Sequence, residues 1–180
     1  MRDKNMKTFQ VCPFCGTEYN KEQVEQWAWN CQNCKQTFYQ NQAVTNSGII
    51  VQDNKLLFVV RGRLPHKGLL DFPGGFVQPD ERIEDGLIRE IQEELTVQAQ
   101  IVKYVGLFGP IEYEFEGFLG YNCDHFYQVK LLSQELKPAD DVADIIWKSL
   151  DNLPKPEEIA FKSHQWLVEK LKKKEILLEE

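Results

Sequence analysis

The sequence predicts an α+β chain with a small appendage at its N-terminal end. Three observations carry that expectation. Two C-x2-C knuckles fall within the first 45 residues, several short β-rich runs follow from Gly48 onward, and two stretches carry apolar residues at helical spacing. The 180 residues suit one domain of about 135–145 residues plus the appendage. The expected division is 1–45 and 46–180, because Asn41 to Ser47 (NQAVTNS) is mostly polar and small.

In the appendage, Cys12-Pro-Phe-Cys15-Gly and Cys31-Gln-Asn-Cys34 form a C-x2-C…x15…C-x2-C pair. Such knuckles place four thiolates for tetrahedral zinc. Two disulfides, or a redox C-x-x-C, are the alternatives. The first conflicts with the expected compartment, and the second needs no matching second motif. A segment this short buries too little apolar surface alone, so a bound zinc ion would supply folding energy. Tyr19, Trp27, Trp29, Phe38 and Tyr39 are its expected aromatic core. Four cysteine ligands leave no open position, so the role read here is structural. The first 40 residues hold five Lys/Arg against four Asp/Glu, a near-neutral balance that gives no support to nucleic-acid binding.

In the larger part, Gly48-Ile-Ile-Val51 and Lys55–Arg61 read as strands around an Asp53-Asn54 turn. Arg61, Arg63, His66 and Lys67 surround the following loop, where solvent exposure is the plain reading. Gln98 to Leu107 reads as a strand that Gly109-Pro110 breaks. Residues 111–121 (IEYEFEGFLGY) are either a β-hairpin or a loop whose aromatics stack on a base. His125 to Leu132 and Ile145-Ile146-Trp147 are further strands. Residues 157–173 form a terminal helix with Phe161, His164, Leu167, Val168 and Leu171 on one face, where His164 reads as a packed core histidine.

The stretch from Gly75 to Val97 carries the chemistry. From Ile83 onward, Ile83, Leu87, Ile88, Ile91 and Leu95 make one apolar stripe. Glu90, Glu93 and Glu94 fall within roughly 100° of one another beside it. Like charges at i,i+4 cost a helix about 0.2–0.5 kcal/mol per pair. Arg89, or a hard divalent cation held by carboxylates and substrate phosphates, would offset them. The preceding Phe72-Pro73-Gly74-Gly75 allows a backbone carbonyl to approach the same ion.

This pattern resembles the Nudix box, G-x5-E-x7-R-E-U-x-E-E-x-G-U with U aliphatic. Gly75, Glu81, Arg89, Glu90, Ile91, Glu93, Glu94 and Val97 match, and Thr96 stands where the family has Gly. That departure concerns the helix exit, where Gly serves a left-handed cap. The resemblance implies an α/β/α sandwich with a mixed sheet. It also implies hydrolysis of a nucleoside diphosphate linked to another group, with Mg²⁺ or Mn²⁺ held by Glu90, Glu93, Glu94 and the Gly74 carbonyl. Arg89 would hold Glu90 or Glu93, and Glu81 would brace Arg89. The general base stays open among Glu90, Glu93 and Asp141. Arg61, Arg63, Gly75, Tyr113 and Phe115 are the implied substrate contacts. The two knuckles over residues 1–45 have the spacing of a zinc ribbon, and a zinc ribbon ahead of such a domain resembles the NADH-pyrophosphatase branch. This chain, however, has Val105-Gly-Leu-Phe-Gly-Pro110 in place of that branch's SQPWPFPxS-like stretch. Ribbon-bearing relatives acting on ADP-ribose or FAD are an equally good comparison. The other reading is a non-catalytic nucleotide sensor with the ribbon as docking surface. Such proteins tend to lose box carboxylates, and here all are present.

A formal charge of −7 offers no large basic field for nucleic acid or an anionic membrane. A bound cation could still draw a phosphorylated substrate. No apolar run approaches a membrane span, and the N-terminal MRDKNMKTFQV lacks the apolar core of a signal peptide, so a cytoplasmic location is expected. The aromatic stretch allows a homodimer.

Overall fold

The computed structural model describes residues 11–19, 28–115 and 118–179, without the side chains of 115–119. Trp27 and the side chains of Phe115 and Phe118 lie outside the described residues. The chain divides into two compact units, Met1–Ala43 with Glu112–Asn122, and Val44–Ile111 with Cys123–Glu180.

In the first unit, β1 (Ala28–Asn30) and β2 (Thr37–Tyr39) pair antiparallel, with Trp29 opposite Phe38. Each knuckle closes on its own backbone. Gly16 N–H donates to Cys12 O at 2.9 Å, and Lys35 N–H donates to Cys31 O at 2.9 Å. Gly16 and Lys35 have φ of 72° and 62°, so both turns end in the left-handed region. Trp29 stacks between Tyr19 and Phe38 with centroids 6.2 and 5.2 Å away. Tyr39, expected in this core, is 51% exposed instead. Side chains alternate along β2, so Phe38 turning in sends Tyr39 out.

In the second unit, β3 (Ala43–Gln52) and β4 (Lys55–Arg61) form a hairpin in which Gln52 faces Lys55. Asp53 and Asn54 between them have φ of 51° and 57°, the conformation that two-residue hairpins require. β5 (Leu70–Asp71) continues along the edge of β4 that β3 leaves. β8 (Val142–Ser149) takes the opposite edge, with a register shift between Val60 and Arg61. The long strands β6 (Ala99–Phe115) and β7 (Phe118–Leu131), which belong to this unit up to Ile111 and from Cys123, complete the order β5-β4-β3-β7-β6. β3 starts at Ala43, so the polar stretch read as a boundary is largely strand. β6 runs straight through Gly109-Pro110, where a break was expected. An end strand tolerates proline, because one edge of it owes no ladder hydrogen bond.

Neighbouring residues on the central strands feed two cores, because successive side chains point to opposite faces. Ile49, Leu56, Phe58 and Phe126 pack with Leu167 and Val168 of α2 (Lys162–Lys172). Ile50, Leu57, Val59 and Tyr127 pack with Leu87, Ile91 and Leu95 of α1 (Ile83–Leu95). The result is the expected α/β/α sandwich. α2 begins later than residue 157, because Ile159 bridges Leu70 and Ala160 N–H donates to Leu70 O at 2.9 Å. No described helix is long and apolar enough to cross a membrane.

Candidate active site

The site is built where α1 passes the two glycines that follow β5. The loop from Phe72 to Gly75 lies along β3. Gly48 N–H donates to Pro73 O at 2.8 Å, and Asn46 N–H donates to Gly75 O at 2.9 Å. Gly74 has φ of 142°, and a β-carbon there would stand 2.2 Å from Asn46 O. Only glycine fits. The Asn46 side chain accepts from Gly75 N–H at 3.2 Å and donates to Ile83 O at 3.2 Å, clamping the loop to the start of α1.

Arg89 organises the acidic side chains of α1. Its guanidinium donates to both oxygens of Glu81, at 3.1 and 2.7 Å, and to Glu90 and Glu93 at 2.8 and 2.9 Å. The Arg89 hydrogen bond, with help from the Gln78 amide, holds the Glu81 carboxyl down at about 2. Glu94 points inward and is 6% exposed, accepting from Gly74 N–H at 3.0 Å. Burial pushes its carboxyl well above the usual carboxylate range, and the charges of Asp141, Glu90 and Asp71 add to that. Burial also raises Glu90, with Glu93 and Asp141 contributing.

Asp141, on the loop before β8, lies near enough to this cluster for its charge to raise Glu90 and Glu94. Lys137 and Ala139 donate to the Leu95 and Glu94 carbonyls at 3.1 and 2.9 Å, using the helix's terminal acceptors to seat the loop before β8. Gly62 N–H donates to Asp141 O, and a β-carbon on Gly62 would stand 2.7 Å from that oxygen. Arg63 donates to Asp141 at 2.8 Å and to Asp140 at 3.2 Å, with its side chain 61% exposed. Arg61 is placed differently. Its Nε donates to Pro65 O and its Nη1 to Asp71, both within 2.8 Å, and its side chain is 16% exposed. Asp71 already neutralises its charge, which weakens it as a phosphate contact. Tyr113 belongs to the first compact unit.

The acidic cluster suits a hard cation. Glu90 and Glu94 are both raised by burial and further by the charge of Asp141, and a divalent ion would relieve that repulsion. The set is open: among the described residues, only the four cysteines bring three or more ligand atoms within 4.8 Å. Mg²⁺ keeps several waters and uses few carboxylates, so an open set is compatible with it. The cysteines form a closed one. Cys12–Cys34 and Cys15–Cys31 sulfurs lie 3.7 Å apart, too far for disulfides. Tetrahedral bonds of about 2.3 Å would put sulfurs about 3.8 Å apart, so the cluster could hold a metal ion.

Residues 43–168 match the model of the NUDIX domain. The chain belongs to this family. An ADP-ribose pyrophosphatase of Methanocaldococcus jannaschii is 32% identical over 121 residues, 67% of this chain and 70% of the relative. An NAD-capped RNA hydrolase, NudC, of Photorhabdus laumondii is 26% identical over 149 residues; this Nudix chain spans 54% of that relative's length. The crystal structure of a Nudix hydrolase from Nitrosomonas europaea superimposes with a TM-score of 0.70 over 92% of each chain at 23% identity, a likeness of fold. Membership of the family makes this chain a Nudix hydrolase.

Sequence reasoning missed Asn46 and Gly62. Neither lies in a recognisable motif, and both act through a segment distant in sequence. Thr96, the departure from the family pattern, adopts φ 60° and ψ 25° and caps α1 through its amide to Gln92 O. The left-handed exit is thus kept without glycine.

Proposed function

We propose that this Nudix hydrolase cleaves the diphosphate bond of a nucleoside diphosphate linked to a second group, with ADP-ribose as the first candidate, and releases a nucleoside monophosphate. The observation that supports this most is Glu94. A carboxylate this buried, held by one amide and crowded by Glu90 and Asp141, is costly unless a cation compensates it. The named activity of the Methanocaldococcus relative supports the substrate class.

In this reading Glu90, Glu93, Glu94 and the Gly74 carbonyl hold Mg²⁺ or Mn²⁺, and the four cysteines hold structural zinc. A divalent cation held there would neutralise the diphosphate and lower the pKa of the attacking water. Arg89 bridges Glu90 and Glu93 and offsets their mutual repulsion, with Glu81 bracing its guanidinium from the other end. Arg63 is exposed beside the cluster and can exchange an aspartate for a substrate phosphate. Asp141, which Arg63 orients, takes the proton of the attacking water.

A panel of ADP-ribose, NADH, FAD, diadenosine polyphosphates and dNTPs, each with Mg²⁺ or Mn²⁺ and with product identification, tests the proposal. Turnover of at least one diphosphate-linked substrate is expected, and Glu94→Gln abolishes it in a folded protein. No turnover across the panel, or turnover that survives Glu94→Gln, would overturn it.

A further inference from the structure

Four charged side chains alternate in sign through the second compact unit, behind the two-glycine loop. Arg61 Nη1 donates to Asp71 Oδ2 at 2.7 Å. The other oxygen of Asp71 meets His164 Nδ1. His164 Nε2 lies 3.0 Å from Asp124 Oδ2. The Ser47 hydroxyl closes the chain, 3.0 Å from both Asp124 Oδ1 and His164 Nε2. Side-chain exposure is 16% for Arg61 and at most 7% for the other three charged members. Burial alone would discharge His164, but Asp71 and Asp124 outweigh it and lift its pKa to about 10. Asp124 is held below its usual value, because the His164 and Ser47 hydrogen bonds overcome its burial.

Such a chain is poor value as stabilisation alone, since apolar residues of the same volume commonly serve as well or better. Its members explain what it does. Asp71 Oδ1 accepts from Phe72 N–H at 3.1 Å, at the start of the loop. Ser47 lies between Asn46 and Gly48, the two residues that receive that loop. The chain therefore grips both the loop and the strand it rests on. The loop in turn delivers the Gly74 amide to Glu94.

We propose that Arg61, Asp71, His164, Asp124 and Ser47 form a positioning chain that fixes the two-glycine loop against β3 and so sets how tightly the α1 carboxylates take a divalent cation. None of the five need touch substrate. The proposal rests on the functional reading above, in that it presumes the cation site. It makes His164, on α2, a positioning residue for the cation site.

The test is Mn²⁺ affinity, read by the electron paramagnetic resonance signal of free Mn²⁺, together with kcat, KM and unfolding midpoint for the full chain. Ser47→Ala removes one hydroxyl, and His164→Gln removes the central cation. Val168→Ala, a buried α2 residue outside the chain of charges, is the control for lost packing. Ser47→Ala and His164→Gln should weaken Mn²⁺ binding by about 10-fold or more. Val168→Ala should lose stability and keep parental affinity. If Ser47→Ala and a folded His164→Gln bind Mn²⁺ as the parent does, the positioning role is wrong. If His164→Gln does not fold, Ser47→Ala decides alone. A parent chain that binds no Mn²⁺ would overturn the functional reading and this inference together, whereas unchanged variants of a Mn²⁺-binding parent overturn only the inference.

Discussion

Replacing Gly75 with alanine separates the chemistry of the carboxylates from the stability of the fold. Gly75 is not one of the left-handed glycines, so alanine meets no backbone strain there. A β-carbon would stand 2.7 Å from Glu90 Oε1 and 2.8 Å from its carboxyl carbon. Ordinary contact begins at 3.4 Å, so the carboxylate must retreat by roughly 0.7 Å. The end of a flexible side chain can do this cheaply. Arg89 keeps Glu81 and Glu93, and the stability loss should stay below about 1.5 kcal/mol, the usual net value of one hydrogen bond. Displacements near 1 Å in a reacting geometry cost about 10²-fold, and kcat/KM should fall by that order. Gly74→Ala should behave in the opposite way. Its φ of 142° and the 2.2 Å approach to Asn46 O combine strain of about 1–3 kcal/mol with overpacking of similar size. Against a typical total of about 5–15 kcal/mol, that threatens the fold itself. Urea unfolding and steady-state kinetics on both variants provide the comparison. A Gly75→Ala enzyme with parental kcat/KM, or one as destabilised as Gly74→Ala, would refute the reasoning.

Three further outcomes follow from other parts of the chain. Thr96→Gly should raise stability by about 0.5–1 kcal/mol, because relief of the left-handed strain exceeds the extra freedom of glycine in the unfolded chain; an unchanged urea midpoint would contradict it. His164 is favoured in its protonated form by folding, so its contribution is whole below pH 6.5, shrinks as pH rises, and is gone above about 10. The stability gap between the parent and His164→Gln should therefore narrow over that window, and a gap constant from pH 6.5 to 10 would count against the ion chain. Cys12→Ser should lose one zinc per chain by elemental analysis and shift tryptophan emission to the red, since Trp29 is 1% exposed beside the cysteines; full zinc content with unchanged emission would refute the ribbon assignment.

The features that were readable in advance are those whose cause is local. The stripe Leu87–Ile91–Leu95 announces α1 because each residue lies one turn from the next, and Asp53-Asn54 announces its turn because both tolerate a left-handed backbone. The knuckles around Cys12 and Cys31 are equally local. What escaped depends on distant segments. Gly109-Pro110 reads as a breaker until β6 proves to lie at the end of the sheet. Asn46 and Ser47 read as a polar linker because nothing nearby reveals Gly75, Ile83 and Asp124 as their hydrogen-bond partners. Arg61 reads as a surface cation until Asp71 claims it. At the candidate site, the carboxylates of α1 were visible as a pattern, whereas the placement of Asp141 near them depends on carbonyls at the end of α1 and on Gly62.

The ribbon's compact unit is assembled from two stretches of chain, Met1–Ala43 and Glu112–Asn122. During synthesis the cysteines leave the ribosome well before the second stretch exists. The ion they could hold would keep the nascent N-terminal segment in shape through that interval, and the unit could reach its final form only after Glu112–Asn122 had emerged.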